Sequence, residues 1–400
     1  MTKERRHDID SLRVLAFGLL ILYHLGMAYV ADWGWHVKSS HQSEILQLLM
    51  LAVNQWRMPL LFLISGAATY FLLYKLGSRG FLLQRLRQLV IPLLFGMLFV
   101  IPPQAYYEAL ANGAIEPGYF RFLWRYFTFQ PWPAGSFTGS QVGITWNHLW
   151  YLPYLLCYTL AAIPIALWLG ACQKQLKSQL AAIKAWQLVI LPLLPLTLYG
   201  LFLFPRFGGI NHAVVGDWYT HAQFFTFFIL GYLLVSHQAP WKLLAQIRVP
   251  LVVSTALSYS LFLYFGRFLP ENCFYGQSFI GLLIVYANRW LWLLAVLAFA
   301  YRYLNRPFSW LPYANEAVYP CYMLHQTIMV IAVFTLSSLS LGPVFEPLLV
   351  VLITAAGCLF MHELLIRRVP LLRLVFGLKP LTVKTNPVTG LIKGTWNCNK

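Results

Sequence analysis

The chain has 400 residues, of which 59% are hydrophobic and only 10% are charged. Soluble domains carry about a quarter charged residues, so this composition excludes an ordinary soluble protein. Apolar runs of about 18 or more residues recur without the period-2 alternation of a membrane β-barrel, and they predict an all-α, polytopic transmembrane helical bundle.

The formal net charge of +17 is explained by membrane topology. We predict ten spans, with both termini in the cytoplasm. Most lysines and arginines then fall in the inner segments, as the positive-inside rule requires. We expect the lipid bilayer as a partner and no nucleic acid, because no nucleic-acid motif accompanies the charge. The spans lie near 12–31, 45–74, 88–107, 148–169, 186–204, 222–236, 250–266, 276–301, 317–339 and 344–366, and the outer cations are Lys38, Arg121, Arg125, Arg206 and Arg267.

The first span, within IDSLRVLAFGLLILYHLGM, contains two groups that hydrocarbon disfavours, Arg13 and His24. Eleven helical steps end within about 20° of the same face and cover roughly 16 Å, so Arg13 lies at the inner interface and His24 past the midplane. Asp10 shares this face and is expected to orient the guanidinium. A snorkelling anchor also explains Arg13, whereas a neutral imidazole deep in a span needs partners for both nitrogens.

The second apolar segment contains NQWRMPLLFLISG, in which Asn54, Gln55 and Arg57 precede Pro59. It is also longer than the roughly 20 residues that a span needs. Because proline removes a backbone donor, we predict a broken or bent element whose polar corner faces protein or water. The alternative is an amphipathic outer-surface helix that leads into an ordinary span.

Polar groups also flank the third and fourth spans. Arg85 and Arg87, in FLLQRLRQLVIP, enter the third span from inside; topology explains them, and so does a cytosolic polyanion, because arginine binds phosphate bidentately. His148 and Trp150, in NHLWYL, lie at the outer end of the fourth span, where an interfacial aromatic belt is the alternative. The outer loop near 108–147 is expected to be a lid, an acceptor surface or a cap on the outer leaflet.

The ninth predicted span contains a second histidine at about the depth of His24. His325, in YPCYMLHQTI, lies nine residues above Glu316, or roughly 13 Å by helical rise. Two histidines at one level predict a shared polar cavity, and two unrelated structural histidines are the alternative. Arg289 is a further charge inside a span and has no explanation from the sequence.

Glu316 has two interpretations. It is half a turn out of phase with His325 on a straight helix, but Pro320 lies between them and is a potential bend. A Glu316–His325 dyad is therefore left open. A surface pairing of Glu316 with Arg302 or Arg306 is the other interpretation.

Residues 1–370 are predicted to form one transmembrane domain, and residues 371–400 a basic cytoplasmic tail with loose order. The tail contains no acid and has weak periodicity. No Cys/His spacing typical of a metal site occurs, so we expect neither a metal nor a bound cofactor.

Together these motifs resemble the acyltransferase-3 family of integral-membrane acyltransferases. Arg13 and His24 match its Arg-x10-His pattern, and RMPLLFLISG, RLRQLVIP, NHLWYL and EAVYPCYMLHQ follow in family order. Within the family, RRHDIDSLRVLAF and EAVYPCYMLHQT look most like the branch that contains succinyltransferases of periplasmic glucans. The resemblance also implies the bacterial inner (cytoplasmic) membrane.

The resemblance implies transfer of an acyl group, acetyl or succinyl, from a cytosolic acyl-CoA to a hydroxyl of an extracytoplasmic glycan or another acceptor. It implies that His24 is the catalytic base, and it places His325 and Glu316 in catalytic motifs. Direct transfer is expected, because no Ser or Cys lies in a nucleophile motif. Substrate binding is implied for Asp10, Arg13, Arg57, Arg85, Arg87, His148 and Trp150, with Arg13, Arg85 and Arg87 on the donor side.

Two other functions fit the same polar groups. A transporter or exporter of glycans or anions would use the cavity without acyl chemistry, and a non-catalytic scaffold would keep only the fold. The lack of a convincing internal repeat weighs mildly against the inverted-repeat transporters. Association into a homo-oligomer is left open.

Overall fold

The computed structural model describes residues 5–268 and 278–380, and every regular element in these ranges is a helix. The prediction of an all-α bundle is therefore confirmed. The first half contains α1 (His7–Tyr29), α2 (Ile45–Phe95), α3 (Pro102–Ala111), α4 (Tyr119–Tyr126), α5 (Tyr151–Ala171), α6 (Gln173–Ala181), α7 (Ala185–Ile190) and α8 (Leu193–Phe202). The second half contains α9 (Phe204–Phe207), α10 (Trp218–Leu234), α11 (Ala239–Gln246), α12 (Arg248–Phe268), α13 (Phe279–Tyr303), α14 (Leu311–Leu336), α15 (Gly342–Phe360) and α16 (Pro370–Val375).

Eight helical runs in the described ranges are long and apolar enough to cross a bilayer. This finding and the composition make the chain a multi-pass membrane protein. The runs are His7–Tyr29, Ile45–Val100, Asn147–Ala171, Ala185–Phe202, Arg248–Arg267, Phe279–Tyr303, Leu311–Leu339 and Gly342–Ile366.

The difference from the ten predicted spans has two causes. The second and third predicted spans belong to one helical run, which is interrupted at Gly77, where φ is 65° and ψ is 175°. The sixth predicted span lies in α10, which has only 17 residues. The first two residues of the eighth predicted span, 276–301, lie outside the described ranges. The number of crossings and the side on which each terminus lies therefore stay predictions.

A break at Pro59 is wrong, because α2 continues through this residue with helical angles, and a bend at this position stays a prediction. Proline is tolerated inside a membrane helix where surrounding protein satisfies the freed backbone group. The predicted environment of the polar corner is confirmed. Asn54, Gln55 and Arg57 line an interior cavity.

Two glycines bring α2 and α10 into backbone contact. A Cβ added to Gly66 would overlap the Phe228 carbonyl, and one added to Gly231 would overlap the Leu63 carbonyl. Small residues permit this close approach between membrane helices, which associate mainly through packing. The crossing therefore fixes the position of α2, whose first half carries Arg57.

The long loop between α3 and α5 is folded around an aromatic cluster. Gly139, with φ of 87°, and Gly143, with φ of 82°, permit the turns that return the chain toward α5. Residues from Thr138 to Asn147 line the cavity, so this loop forms one of its walls. The cluster contains Tyr106, Phe122, Tyr126, Trp132 and Phe137.

The described part of the predicted tail, 371–380, is packed against the bundle, contrary to the expectation of loose order. Phe376 lies edge-on to Phe95 of α2, with ring centroids 5.3 Å apart. Arg373 is buried and donates to Glu316 of α14 at 2.9 Å. An ion pair and a ring contact hold this segment. Residues 381–400 lie outside the described ranges, so their order stays a prediction.

We expect Gly231→Ala to destabilise the folded protein by roughly 1–3 kcal/mol, because the added methyl group forces α10 away from α2. Thermal unfolding of the purified protein in detergent measures this effect. Gly18→Ala is the matched control, since no atom lies within 4 Å of its added Cβ. Equal unfolding temperatures for the two variants would contradict the close helix contact.

Candidate functional site

A cavity of about 860 Å³ lies beneath the loop that joins α3 to α5. Its walls come from α1, the α1–α2 connection, α2, α3, α10, α13, α14, this loop and the loop between α9 and α10. Seven residues singled out from the sequence line it: His24, Asn54, Gln55, Arg57, His148, Trp150 and Arg289. The predicted polar cavity at the level of the histidines is therefore present.

His24 and His325 form a direct pair between α1 and α14. The His24 Nδ1 lies 2.9 Å from the His325 Nε2, and the two nearly coplanar rings lie edge to edge, with centroids 5.1 Å apart and an interplanar angle of 20°. His325 is fully buried, whereas His24 lines the cavity. The alternative of two unrelated structural histidines is therefore wrong.

The surrounding hydrogen bonds assign the protons of this pair. The His325 Nδ1 lies 2.7 Å from the Tyr322 carbonyl, which accepts only, so Nδ1 carries the proton and Nε2 the lone pair. His24 must then donate its own Nδ1 proton to His325. The His24 Nε2 consequently carries a lone pair, and no described residue donates to it. This nitrogen is the atom available to take a proton from a molecule in the cavity.

His148 adds a third imidazole to the cluster. Its Nε2 donates to the Met323 carbonyl at 3.1 Å, and its ring lies edge-on to His325 with centroids 5.3 Å apart. The Tyr322 hydroxyl donates to the His148 carbonyl at 2.8 Å. The His148 Nδ1 therefore holds a lone pair, and no described residue donates to it.

Arg13 lies at the opposite end of α1 from this cluster. Its Nε donates to the Asn315 Oδ1 at 3.2 Å, and its Nη2 lies 3.5 Å from Asp10. The predicted contact between Asp10 and Arg13 is thus confirmed. Asp10 also accepts a hydrogen bond from the Arg5 guanidinium at 2.9 Å, so one carboxylate contacts two guanidinium groups.

Arg85 and Arg87, at the start of the second half of α2, differ in their environments. Arg85 donates to the Thr69 hydroxyl at 3.3 Å, and its Nε is buried without a partner among the described residues. Arg87 is exposed. Neither residue lines the cavity that contains His24.

A tyrosine layer, consisting of Tyr151 and Tyr322, separates the arginines from the histidines. The ring of Tyr322 has its centroid 6.2 Å from that of His325 and 6.4 Å from that of Tyr151. On the other side, the Tyr151 hydroxyl hydrogen-bonds Ser65, one helical turn from Thr69, to which Arg85 donates. The described chain therefore has a cationic site and a histidine cavity on opposite sides of two aromatic rings.

Two arginines face the cavity without a carboxylate partner in the described ranges. Arg57 stacks over the Tyr23 ring at 3.7 Å and donates to Asn54 at 3.2 Å. Arg289 donates to the side-chain oxygen of Gln223. Each arginine keeps a buried Nε without a hydrogen-bond partner among the described residues. Arg57, assigned to the polar corner from the sequence, and Arg289, which the sequence left unexplained, thus belong to one cavity.

The structure does not bring Glu316 and His325 together, so the dyad left open by the sequence is not formed. Glu316 accepts from Arg373 at 2.9 Å and lies 3.9 Å from Arg367. The suggested pairing with Arg302 or Arg306 is also wrong, because the segment after α15 returns to cover Glu316. A catalytic role for Glu316 stays a prediction without support from these contacts.

Trp150 and His212 form an aromatic wall of the cavity. Their rings stack with centroids 4.0 Å apart, and the His212 backbone N donates to Asp217 at 3.2 Å. Burial lowers the pKa of His212 to about 4, an effect that Asp217 opposes and Arg57 reinforces. The His212 imidazole is therefore neutral near pH 7.

Among the cavity residues that were not identified from the sequence are His36, Glu108 and Gln326. The His36 Nδ1 lies 2.6 Å from Glu108, and Gln326 lies 2.8 Å from the His36 Nε2. These contacts join residues 72 and 290 positions apart, which no local pattern reveals. Two sequence signals could have identified members of this group. Glu108 is an acid just after the third predicted span, and Gln326 is an amide next to His325.

The fold and the site define a class: a multi-pass helical membrane protein with a histidine pair arranged for general-base chemistry. A family model described as an acyltransferase domain matches residues 6–363. The chain therefore belongs to the acyltransferase-3 family, as its motifs indicated.

Curated relatives include the glucans biosynthesis protein C of Salmonella paratyphi B, Salmonella heidelberg and Salmonella schwarzengrund. Each is 26% identical to this chain over 190 residues, which is 47% of this chain and 46% of the relative. The match thus spans about half the length of these relatives. No solved structure matches the chain.

His212 makes the stability of the fold depend on pH. Its pKa is 6.5 in the unfolded chain and about 4 in the folded protein, so between these values the unfolded chain binds the extra proton. We expect stability to fall as the pH drops from about 6.5 toward 4, by up to about 3 kcal/mol, and this loss to level off below that range.

His212→Asn should remove this part of the pH dependence. Asparagine tolerates the positive φ of 60° at this position. The measurement is the unfolding temperature of both proteins between pH 7 and pH 4.5. The same slope in wild type and variant would show that His212 is not protonated differently in the two states.

Proposed function

We propose that this chain is a membrane-bound O-acyltransferase that moves an acetyl or succinyl group from a cytosolic acyl-CoA to a hydroxyl of an extracytoplasmic glycan. The observation that carries the proposal is the His24–His325 pair, which presents an imidazole lone pair to the cavity. Membership of the acyltransferase-3 family supports the reaction class. The name of the Salmonella relatives supports a glucan as the acceptor.

In the proposed reaction His24 is the general base. Its Nε2 takes the proton of the acceptor hydroxyl while the oxygen attacks the thioester carbonyl, and the hydrogen bond to His325 stabilises the imidazolium that forms. Collapse of the tetrahedral intermediate breaks the carbon–sulfur bond, and His24 returns the proton to the leaving CoA thiolate. The products are an ester and free CoA, and no acyl-enzyme is required.

The donor is proposed to bind at the cationic site. Arg13 and Arg85 present guanidinium groups that suit the phosphates of CoA, and the exposed Arg87 extends the positive surface. Asp10 holds the Arg13 guanidinium in place. The thioester must cross the tyrosine layer to reach His24, so donor binding is proposed to displace these rings.

The acceptor is proposed to bind in the cavity. Its volume of about 860 Å³ is within the range of roughly 300–1,000 Å³ that holds small ligands. Trp150 offers an apolar wall, and the His148 Nδ1 offers a hydrogen-bond acceptor to a hydroxyl. Arg57 and Arg289 would bind a carboxylate, which is the group that distinguishes a succinyl from an acetyl donor.

The proposal includes the ten-span topology with both termini in the cytoplasm and residence in the bacterial inner membrane. The distribution of cations supports this orientation. It places the cationic site toward the cytosolic acyl-CoA and the cavity toward the extracytoplasmic glycan. A homo-oligomer is compatible with this arrangement.

An exporter of glycans without acyl chemistry is the second candidate. The separation of the cationic site from the cavity by the tyrosine layer favours it, because a transporter also needs a barrier between two access routes. The two candidates differ in their product. The exporter releases an unmodified glycan, whereas the enzyme adds the mass of an acyl group.

His24→Ala is expected to lower acyl transfer by ~10²–10⁴-fold, because it removes the general base. The measurement is mass spectrometry of base-labile acyl groups on the envelope glycans of the host. It compares a deletion strain, the same strain with the wild-type gene restored, and one that expresses His24→Ala at equal membrane level. The mass increment restored by the wild type identifies the acyl group.

Gly18→Ala, on the same helix, controls for insertion and expression and should restore acylation fully. Full restoration by His24→Ala would contradict the role of His24 as base. Glycan export that depends on the gene, without any change in glycan mass, would favour the exporter. If glycans gain no increment and are not exported, membrane lipids are the next acceptors to analyse.

Acyl-CoA is expected to raise the unfolding temperature of the purified protein, because a ligand that binds only the folded state stabilises it. Arg13→Ala and Arg85→Ala should each raise the half-maximal acyl-CoA concentration about 10-fold or more, since each removes a charged hydrogen-bond donor. Arg302→Ala is the control, because Arg302 stacks beside Tyr303, outside the cationic site. A loss of membrane yield in Arg13→Ala, with unchanged acyl-CoA affinity, would instead identify Arg13 as a snorkelling anchor.

A further inference from the structure

The cavity contains a buried polar network that the proposed reaction does not use. Glu108, on α3, accepts hydrogen bonds from the His36 Nδ1 at 2.6 Å, from the Thr138 backbone N at 2.9 Å and from the Thr138 hydroxyl at 2.8 Å. Glu108 and His36 are both buried. The network joins three segments: the α1–α2 connection, α3 and the loop that precedes α5.

This network fixes the proton of His36 and the orientation of Gln326. Because the His36 Nδ1 donates to Glu108, the His36 Nε2 carries a lone pair. The Gln326 Nε2 donates to that lone pair at 2.8 Å. The Gln326 Oε1 therefore points away from His36, and no described residue donates to this buried oxygen.

The residue that carries the unpaired oxygen lines the same cavity as the proposed base. Gln326 follows His325 on α14, is almost fully buried and lines the cavity with His24. Buried polar atoms in folded proteins are nearly always hydrogen-bonded. No described residue donates to this oxygen, so a molecule that enters the cavity beside Gln326 is a source of the missing donor. A polyhydroxy acceptor supplies such a donor from any hydroxyl that is not being acylated.

We infer that the Gln326 Oε1 binds a second hydroxyl of the acceptor, close to the hydroxyl that faces His24. Glu108 and His36 are then positioning residues that keep the amide oxygen directed at the substrate. The inference rests on the proposed function and narrows its substrate class. The preferred acceptor offers two neighbouring hydroxyls, as a sugar does and an isolated alcohol does not.

The test uses the full-length protein in lipid nanodiscs, with acetyl-CoA and succinyl-CoA as donors and a linear glucose oligosaccharide as the acceptor probe. Gln326→Met removes the amide oxygen and keeps the length of the side chain. We expect KM for the oligosaccharide to rise about 10-fold with little change in kcat, because the lost bond is equal in the ground and transition states.

Glu108→Gln tests the positioning role and replaces Gln326→Met if that variant does not fold. Without the carboxylate, His36 is free to carry its proton on Nε2 and to donate it to the Gln326 Oε1, so KM should rise by a similar factor. Thr327→Val is the matched control. Thr327 follows Gln326 on α14 but donates to the Val100 carbonyl at 2.8 Å, and its loss should leave KM unchanged.

A double variant separates positioning from a general loss of structure. Glu108→Gln combined with Gln326→Met should have the KM of Gln326→Met alone, because both changes remove the same hydrogen bond. A KM in the double variant that rises by the product of the two single-variant factors would overturn the positioning role. An unchanged KM in Gln326→Met, with acyl transfer intact, would overturn the hydroxyl site and leave the proposed function standing.

The oligosaccharide's protection of the protein against thermal unfolding distinguishes failure of the hydroxyl site from failure of the proposed transfer. If the wild type transfers no acyl group but gains protection that Gln326→Met loses, the hydroxyl site is supported although the proposed transfer fails. Equal protection of both proteins, or of neither, overturns the hydroxyl site.

Discussion

The hydrogen bond between His24 and His325 is the contact on which the proposed chemistry depends. An imidazole in apolar surroundings must satisfy its N–H group, or it loses the hydrogen bond that water would supply. His325 satisfies its own through the Tyr322 carbonyl one turn back on α14, and it then offers His24 a single acceptor atom. The free lone pair on His24 therefore follows from helical backbone geometry and from the packing of α1 against α14.

The same two helices connect both proposed substrate sites. At one end Arg13 of α1 donates to Asn315 of α14, and at the other end the histidines of α1 and α14 meet. Helices are stiff over this length, so the distance between the donor charges and the base is set by their rise per residue. The glycine contact between α2 and α10 then holds the wall that carries Arg57.

The sequence allowed the all-α membrane bundle, the common level of His24 and His325 and the Asp10–Arg13 contact to be predicted, because hydropathy and helical periodicity are local properties. It did not reveal the partners of Glu316, since Arg373 reaches it only after the chain leaves α15 and turns back. Pro59 was misjudged for a related reason. Whether a proline breaks a membrane helix depends on neighbouring protein that satisfies the freed carbonyl, and that protein is distant in sequence.

The proposed reaction gives a chemical reason for a tyrosine layer between the two sites. In the proposed reaction, water at the histidine cavity would hydrolyse the thioester, so excluding water until the acceptor is bound protects the donor. Tyr322 is held by one hydrogen bond from its hydroxyl to the His148 carbonyl, at 2.8 Å, and the Tyr151 hydroxyl donates to the Leu61 carbonyl at 3.3 Å. The Tyr151 hydroxyl also hydrogen-bonds Ser65, and both rings are buried, so displacing either ring costs its hydrogen bonds and about 1.5–3 kcal/mol of burial free energy. In the proposed reaction the binding free energy of the polyanionic donor supplies this cost, so the rings stay in place until the donor binds.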